Sequence, residues 1–146
     1  MVVTQLIEKA MKSAQGAQAS LGQSESTNVS FENEKLKSIK SSQNTGMNLK
    51  VILDGKIGRS HTTDINDIEG IVERAMEAAE FGSPAHFEFP KSQEGQDVKV
   101  YDGTVLSVNK QEMVQIGEEM MSLVNDYNAD INVFTGASKS FGRSEF

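Results

Sequence analysis

Leu49-Lys50-Val51-Ile52-Leu53-Asp54-Gly55-Lys56-Ile57-Gly58-Arg59-Ser60-His61 sets one Asp-Gly pair between two β-prone runs. Asp-Gly suits a two-residue hairpin turn because both central residues must adopt positive φ, which most side chains resist. Such a turn opposes Leu53 to Lys56, Ile52 to Ile57, Val51 to Gly58 and Lys50 to Arg59. Leu49, Val51 and Leu53 then share a face with the small Gly58 and Ser60, which suits close packing under a helix. Lys50 and Arg59 lie side by side on the opposite face.

Working outward, Asp64 is placed to cap a helix whose apolar stripe is Ile65, Ile68, Ile71, Val72, Ala75, Met76 and Ala79, with Gly82 as its stop. Upstream, Thr27, Val29 and Phe31 alternate with Asn28, Ser30 and Glu32, the pattern of a half-buried strand. Lys35–Ser42 reads as a second strand, with a bulge to reconcile Leu36 and Ile39. Val3, Leu6, Ile7, Ala10, Met11, Ala14 and Ala17 predict a helix over residues 4–19, ended by Gly22.

Downstream, Ser83–Gly95 reads as a loop because Pro84 and Pro90 disfavour a central strand, and Val98–Tyr101 as a short extended piece. Asn109-x-x-Glu112 is a capping box, with Val108 and Met113 as its hydrophobic staple. Met113, Ile116, Met120, Val124 and Tyr127 then face one way. Ile131–Thr135 reads as a strand, and Gly136–Phe146 as a polar tail or an unfinished hairpin. The expected fold class is α+β, in the order α-β-β-β-β-α-(β)-α-β, as a single domain over 1–146. Its sheet is mixed or antiparallel, with helices packed on one face.

The length of 146 residues suits one ordinary domain, and 37% hydrophobic with 24% charged residues excludes a disordered chain. No cysteine is present, which excludes a disulfide framework, a thiolate metal site and a cysteine nucleophile. The N-terminal Met-Val-Val-Thr-Gln-Leu lacks the basic region of a signal peptide, and no apolar run is long enough to span a bilayer. A cytoplasmic, non-membrane protein is expected. The net charge of −7 argues against nucleic-acid binding, which needs concentrated Lys and Arg. Residues 34–61 nevertheless hold six bases and two acids, leaving −11 for the rest. A basic sheet region sits inside an acidic chain.

The catalytic inventory is small. The two histidines, His61 and His86, are not at helical spacing, so no zinc site is built locally on a helix. His86-x-Glu88 lacks the Pro-Cys-x-x-Cys that deaminase chemistry requires. Ser107-x-x-Lys110 is a spacing common enough to arise by chance, and Lys110 follows directly on the cap Asn109. Glu69, Glu73, Glu77 and Glu80 are a solvated helix face. One feature stands out: Lys50 opposite Arg59 is a like-charge cross-strand pair, which costs stability unless an anion compensates. A neighbouring strand bringing Glu32 or Glu34 alongside would do so, and so would a carboxylate of a bound peptide or partner; splaying of the two side chains into water would equally relieve the repulsion. Lys50, Arg59 and His61 are therefore the candidate peptide- or partner-binding residues, and no catalytic or metal-binding residue is assigned.

An ordered set of residues also resembles a known family. Phe31-Glu32-Asn33 with Leu36, Gly46-x-x-Leu49-Lys50-Val51-Ile52-x-Asp54-Gly55-Lys56-x-Gly58-x-Ser60 and Thr62-Thr63-Asp64 form its first part. Ala75-x-x-Ala78-Ala79, Phe81-Gly82 and Phe87-x-Phe89-Pro90 continue it. Together they resemble the N-terminal domain of the TldD/PmbA family, the "modulator of DNA gyrase" proteins, with the Phe-x-Phe-Pro loop nearer the PmbA (TldE) branch. The resemblance implies a cytoplasmic, longer protein with an α/β N-terminal domain and a β-rich C-terminal domain. It implies paired subunits acting as a zinc metallopeptidase on unfolded or modified peptides, as homo- or hetero-dimers. The family's His-Glu-x-x-x-His zinc motif belongs to the TldD-type C-terminal domain and is absent here, so the chain is expected to need no cofactor of its own and to be inert alone. The rival expectation is a free-standing module that docks an acidic peptide or protein on its basic sheet face.

Overall fold

A computed structural model describes residues 1–90 and 98–146. Among these residues four helices and four strands follow in the order α1 (Val2–Ala10), β1 (Gly16–Glu32), β2 (Lys35–Leu53), β3 (Lys56–Thr62), α2 (Ile68–Glu80), α3 (Thr104–Ser107), α4 (Lys110–Tyr127) and β4 (Phe134–Glu145). The strands form one antiparallel sheet in the order β3-β2-β1-β4, and the fold is α+β. The chain divides into two compact units, one of Met1–Gln23, Asn44–Gln96 and Gly142–Phe146, the other of Ser24–Gln43 and Asp97–Phe141.

The hairpin forms in the register set by its turn. Lys50 pairs with Arg59, Val51 with Gly58, Ile52 with Ile57 and Leu53 with Lys56. Asp54 and Gly55 have φ of 49° and 71°, the left-handed pair that an Asp-Gly turn accommodates. Gln15 Oε1 accepts a 2.8 Å hydrogen bond from the Gly55 amide and ties the turn to the entry of β1.

In the first unit α1 and α2 cover the face bearing Met47, Leu49 and Val51. Val3, Leu6 and Ala10 of α1 and Ile71, Val72, Ala75 and Ala79 of α2 are buried against it. Gly58 is where α2 comes closest: a Cβ there would overlap the Ala75 carbonyl and the Ala79 side chain. Glycine is required by this approach, not by its backbone angles. The Lys9–Glu69 ion pair links the two helices at the surface.

The second unit has its own small core of Val29, Phe31, Met113, Met121 and Val133. Gly117 of α4 lies directly on the Phe31 ring, where a Cβ would clash. The capping box is complete: Asn109 Oδ1 accepts from the Glu112 amide at 2.9 Å, and Glu112 Oε2 accepts from the Asn109 amide at 2.7 Å. Lys139 of β4 donates to the carbonyls of Leu106 and Val108.

Several expectations need correction. The N-terminal helix ends at Ala10, and residues 16–23 belong to β1. The apolar spacing carried on past Ala10 because Ala14 and Ala17 also meet the core, but as a turn and a strand. The cap of α2 is Asp67, whose Oδ1 accepts from the Gly70 amide at 3.0 Å; Asp64 instead closes a local turn onto the Asn66 amide. Ile65 precedes the helix.

The buried stripe of α4 is Met113, Gly117 and Met121, because the contact with Phe31 centres the packed face on Gly117; Ile116, Met120 and Tyr127 are exposed. The last strand starts at Phe134, not Ile131, and takes in most of Gly136–Phe146, where a polar tail or unfinished hairpin was expected. Its alternating small and polar residues suit an edge strand with little to bury. Val98–Tyr101 is not a strand. The loop expected at Ser83–Gly95 is irregular as far as Pro90, apart from a single bridge from Pro84 to Lys56; its remainder lies outside the described residues.

Candidate functional site

Strand alternation gives the first unit's sheet a core face and an opposite face that is polar around Asn48 and Lys50 and apolar at Ile52. Met47, Leu49 and Val51 point into the core, so Asn48 and Lys50 of β2 point away from it. Register places His61 opposite Asn48 and Arg59 opposite Lys50. Gln18 and Ser20 of β1 complete this face. Together with Ala19, Leu49, Ser60 and Phe146 these residues line a cleft of about 470 Å³.

The imidazole of His61 is held in place. Its Nδ1 lies 3.0 Å from Asn48 Oδ1, so the tautomer protonated there donates to the amide oxygen. Asn48 Nδ2 in turn donates to Ser20 Oγ at 3.4 Å, a long and weak bond. The ring covers Gly46, where any Cβ would crowd its Cε1 at 2.9 Å. These contacts leave Nε2 free to meet a ligand.

Lys50 and Arg59 keep the like-charge pairing read from the sequence. No ion pair among the described residues includes either cation. Glu32 does not neutralise them, because it pairs with Lys37. Gln18 and Ser20, both uncharged, occupy the neighbouring positions lining the cleft, and no acidic side chain is among its lining residues. Two cations, an imidazole and neutral hydrogen-bonding groups can hold a carboxylate or another anion. They supply neither the paired carboxylates nor the activated nucleophile that hydrolysis needs.

A metal site does not fit these residues. Among the described residues no group of three or more His, Cys, Asp or Glu is placed to hold an ion. His86, on the loop after α2, is exposed and outside the cleft. The carboxyls whose pKa is lowered lie away from the cleft. The hydrogen bond from Arg74, assisted by the Gly70 amide, holds the Asp67 carboxyl below its ordinary value. Lys9 does the same for Glu69, and the Thr104 hydroxyl for Asp102. These groups anchor helix starts and surface pairs.

A second, apolar cleft of about 520 Å³ is lined by residues including Ile7, Met11, Ile52, Phe87 and Phe89. The Phe87 and Phe89 rings meet edge to face, 5.6 Å apart.

Of the predicted site residues, Lys50, Arg59 and His61 thus share one cleft. Asn48 was missed although its parity with Lys50 was readable. Gln18 and Ser20 were missed because their stretch reads as the end of a helix.

The strand-turn-strand-helix arrangement matches a family profile. Residues 17–79 fit PmbA/TldA metallopeptidase domain 1, a span from β1 nearly to the end of α2. Residues 17–79, a little under half of the chain, are similar to the first domain of that family. Solved structures extend the likeness of fold beyond the profile. TldE from Thermococcus kodakarensis superposes with a TM-score of 0.80 at 11% identity, covering 97% of this chain and 38% of that one. A putative modulator of DNA gyrase from Bacteroides thetaiotaomicron VPI-5482 gives 0.74 at 15% identity, covering 98% of this chain and 34% of that one. Another from Thermotoga maritima MSB8 gives 0.68 at 16% identity, covering 97% and 38%. No curated protein matches in sequence. The chain therefore spans little more than a third of these solved relatives.

Proposed function

We propose that this chain serves as the non-catalytic N-terminal domain of a TldD/PmbA-type metallopeptidase, of the PmbA (TldE) branch. In this reading the whole chain acts as one domain in the cytoplasm. It shapes the substrate chamber and the subunit interface for proteolysis of unfolded or modified peptides, in a homo- or hetero-dimer. The observation that carries the reading is coverage: 97% of this chain superposes on TldE with a TM-score of 0.80, yet accounts for 38% of that protein. The sequence supplies no His-Glu-x-x-x-His, so zinc would be held elsewhere in the assembly. No helix in the described residues is long and apolar enough to cross a membrane.

The test is to incubate the purified chain with an unfolded peptide, with and without added zinc. No turnover is expected in either case. Zinc-dependent cleavage abolished by a chelator would overturn the non-catalytic assignment.

The unpaired Lys50 and Arg59 favour a second reading, a surface that docks an acidic peptide. An oligoglutamate peptide titrated into the chain is expected to shift the amide resonances of Asn48, Lys50, Arg59 and His61. Lys50→Glu should weaken binding about tenfold, and added salt should weaken it further. Shifts confined to other strands would exclude the cleft.

A further inference from the structure

Helix α4 buries only part of its apolar surface. Met113, Gly117 and Met121 pack inward, while Ile116 is 44%, Met120 45%, Leu123 71% and Tyr127 86% exposed. These four exposed positions are spaced by four, three and four residues. That is the alternation of d and a positions in a heptad repeat, beginning with Ile116 at d. Met113 falls at the preceding a. The exposed seam runs for three turns, about 17 Å at 1.5 Å per residue.

The two flanks of this seam differ. At the e positions, Gly117 is buried under Phe31 and Val124 packs against the same core, so that side is already occupied. At the g positions stand Glu112, Glu119 and Asp126, each seven residues from the next and each exposed. The open border of the seam is therefore uniformly acidic. Gln115 Nε2 donates to Glu119 Oε1 at 3.1 Å along the same border.

We propose that this face of α4 docks an amphipathic helix of a partner polypeptide that carries Leu- or Ile-type residues on its seam and Lys or Arg along the facing border. A second copy of this chain is the wrong occupant. Antiparallel pairing would set the acidic g row against itself, and parallel pairing would set it against e positions already covered by the chain's own core. An anionic membrane surface would be repelled by the same acids. A basic helix satisfies both the apolar seam and its border. The proposal stands on α4 alone and is independent of the Lys50–Arg59 cleft.

The experiment uses the full chain and two synthetic peptides of about three heptads, each with Ile at a and Leu at d. One carries Lys at e and g, the other Glu. Binding is measured by fluorescence anisotropy at low and high salt. The Lys peptide is expected to bind at least about tenfold more tightly than the Glu peptide, with the difference shrinking in salt. Leu123→Glu should remove binding without changing the melting temperature, because Leu123 is mostly exposed. Tyr127→Ser serves the same purpose if Leu123→Glu fails to fold. Equal affinity for both peptides, or no binding of the Lys peptide, would overturn the proposal. So would self-association of the chain that Leu123→Glu abolishes, or partition onto anionic vesicles.

Discussion

Helices α2 and α4 both carry an amphipathic pattern, yet they are used differently. α2 seats Ile71, Val72, Ala75 and Ala79 fully against the sheet, because Gly58 lets its backbone descend onto β3. α4 rests on one aromatic ring through Gly117, and its apolar arc is wider than the small core beneath it. A hydrophobic stripe predicts that a face wants burial; the partner surface decides how much of it is buried. α2 is a structural helix, and α4 presents a seam to solvent.

The sharpest way to break this contrast is to truncate one isoleucine in each helix. Ile71→Ala should cost about 4 kcal/mol, as a fully buried side chain leaves a cavity. Ile116→Ala, already half in water, should cost about 1 kcal/mol or less. Chemical denaturation of both variants measures the gap, and equal losses would mean that the two helices are equally packed.

Gly58→Ala should cost about 3 kcal/mol, because the new methyl meets the backbone of α2 and cannot be relieved by a side-chain rotation. Gly117→Ala pits two effects of known size against each other. Overpacking on Phe31 costs about 2 kcal/mol, whereas alanine gains about 1 kcal/mol in helix propensity. A net loss near 1 kcal/mol is expected, and combining it with Phe31→Leu should recover most of it. Thermal melts of the single and double variants check this coupling.

The caps come next. Asn109→Ala and Asp67→Ala should each cost about 1 kcal/mol, read by amide hydrogen exchange at the starts of α4 and α2 respectively.

The smallest effect is the pH dependence at Asp67. Arg74 and the Gly70 amide hold its folded pKa below the ordinary aspartate value of 3.8, so its contribution is complete above that value. It is lost as the pH falls through the lower folded value. An NMR titration of the Asp67 carboxyl should show this depressed midpoint, and Arg74→Ala should raise it toward 3.8. An unchanged midpoint would show that Arg74 is not its main partner.

The hairpin was legible because the turn chemistry of Asp54-Gly55 and the two-residue period of its strands specify one register without outside help. Lys50 facing Arg59 followed from that register. The capping box Asn109–Glu112 was legible for the same reason, since both partners lie within one turn. Less local features were misread. Ala14 and Ala17 fit helical spacing equally well, and only the tie from Gln15 to the Gly55 turn shows why the chain leaves the helix before β1. Asp64 and Asp67 are both plausible caps by residue type, and the position of Arg74 favours the second.

By itself, the sequence determined the hairpin, its register, the existence of α2 and α4, and the pairing of two cations on one sheet face. All of these rest on interactions between residues close in the chain. Tertiary structure alone decided that Gln18 and Ser20, not Glu32, stand beside those cations. It also decided that α4 packs on Gly117 and leaves Ile116, Met120, Leu123 and Tyr127 in water. Those outcomes depend on which distant strand arrives next and how closely, and local periodicity carries no record of that distance.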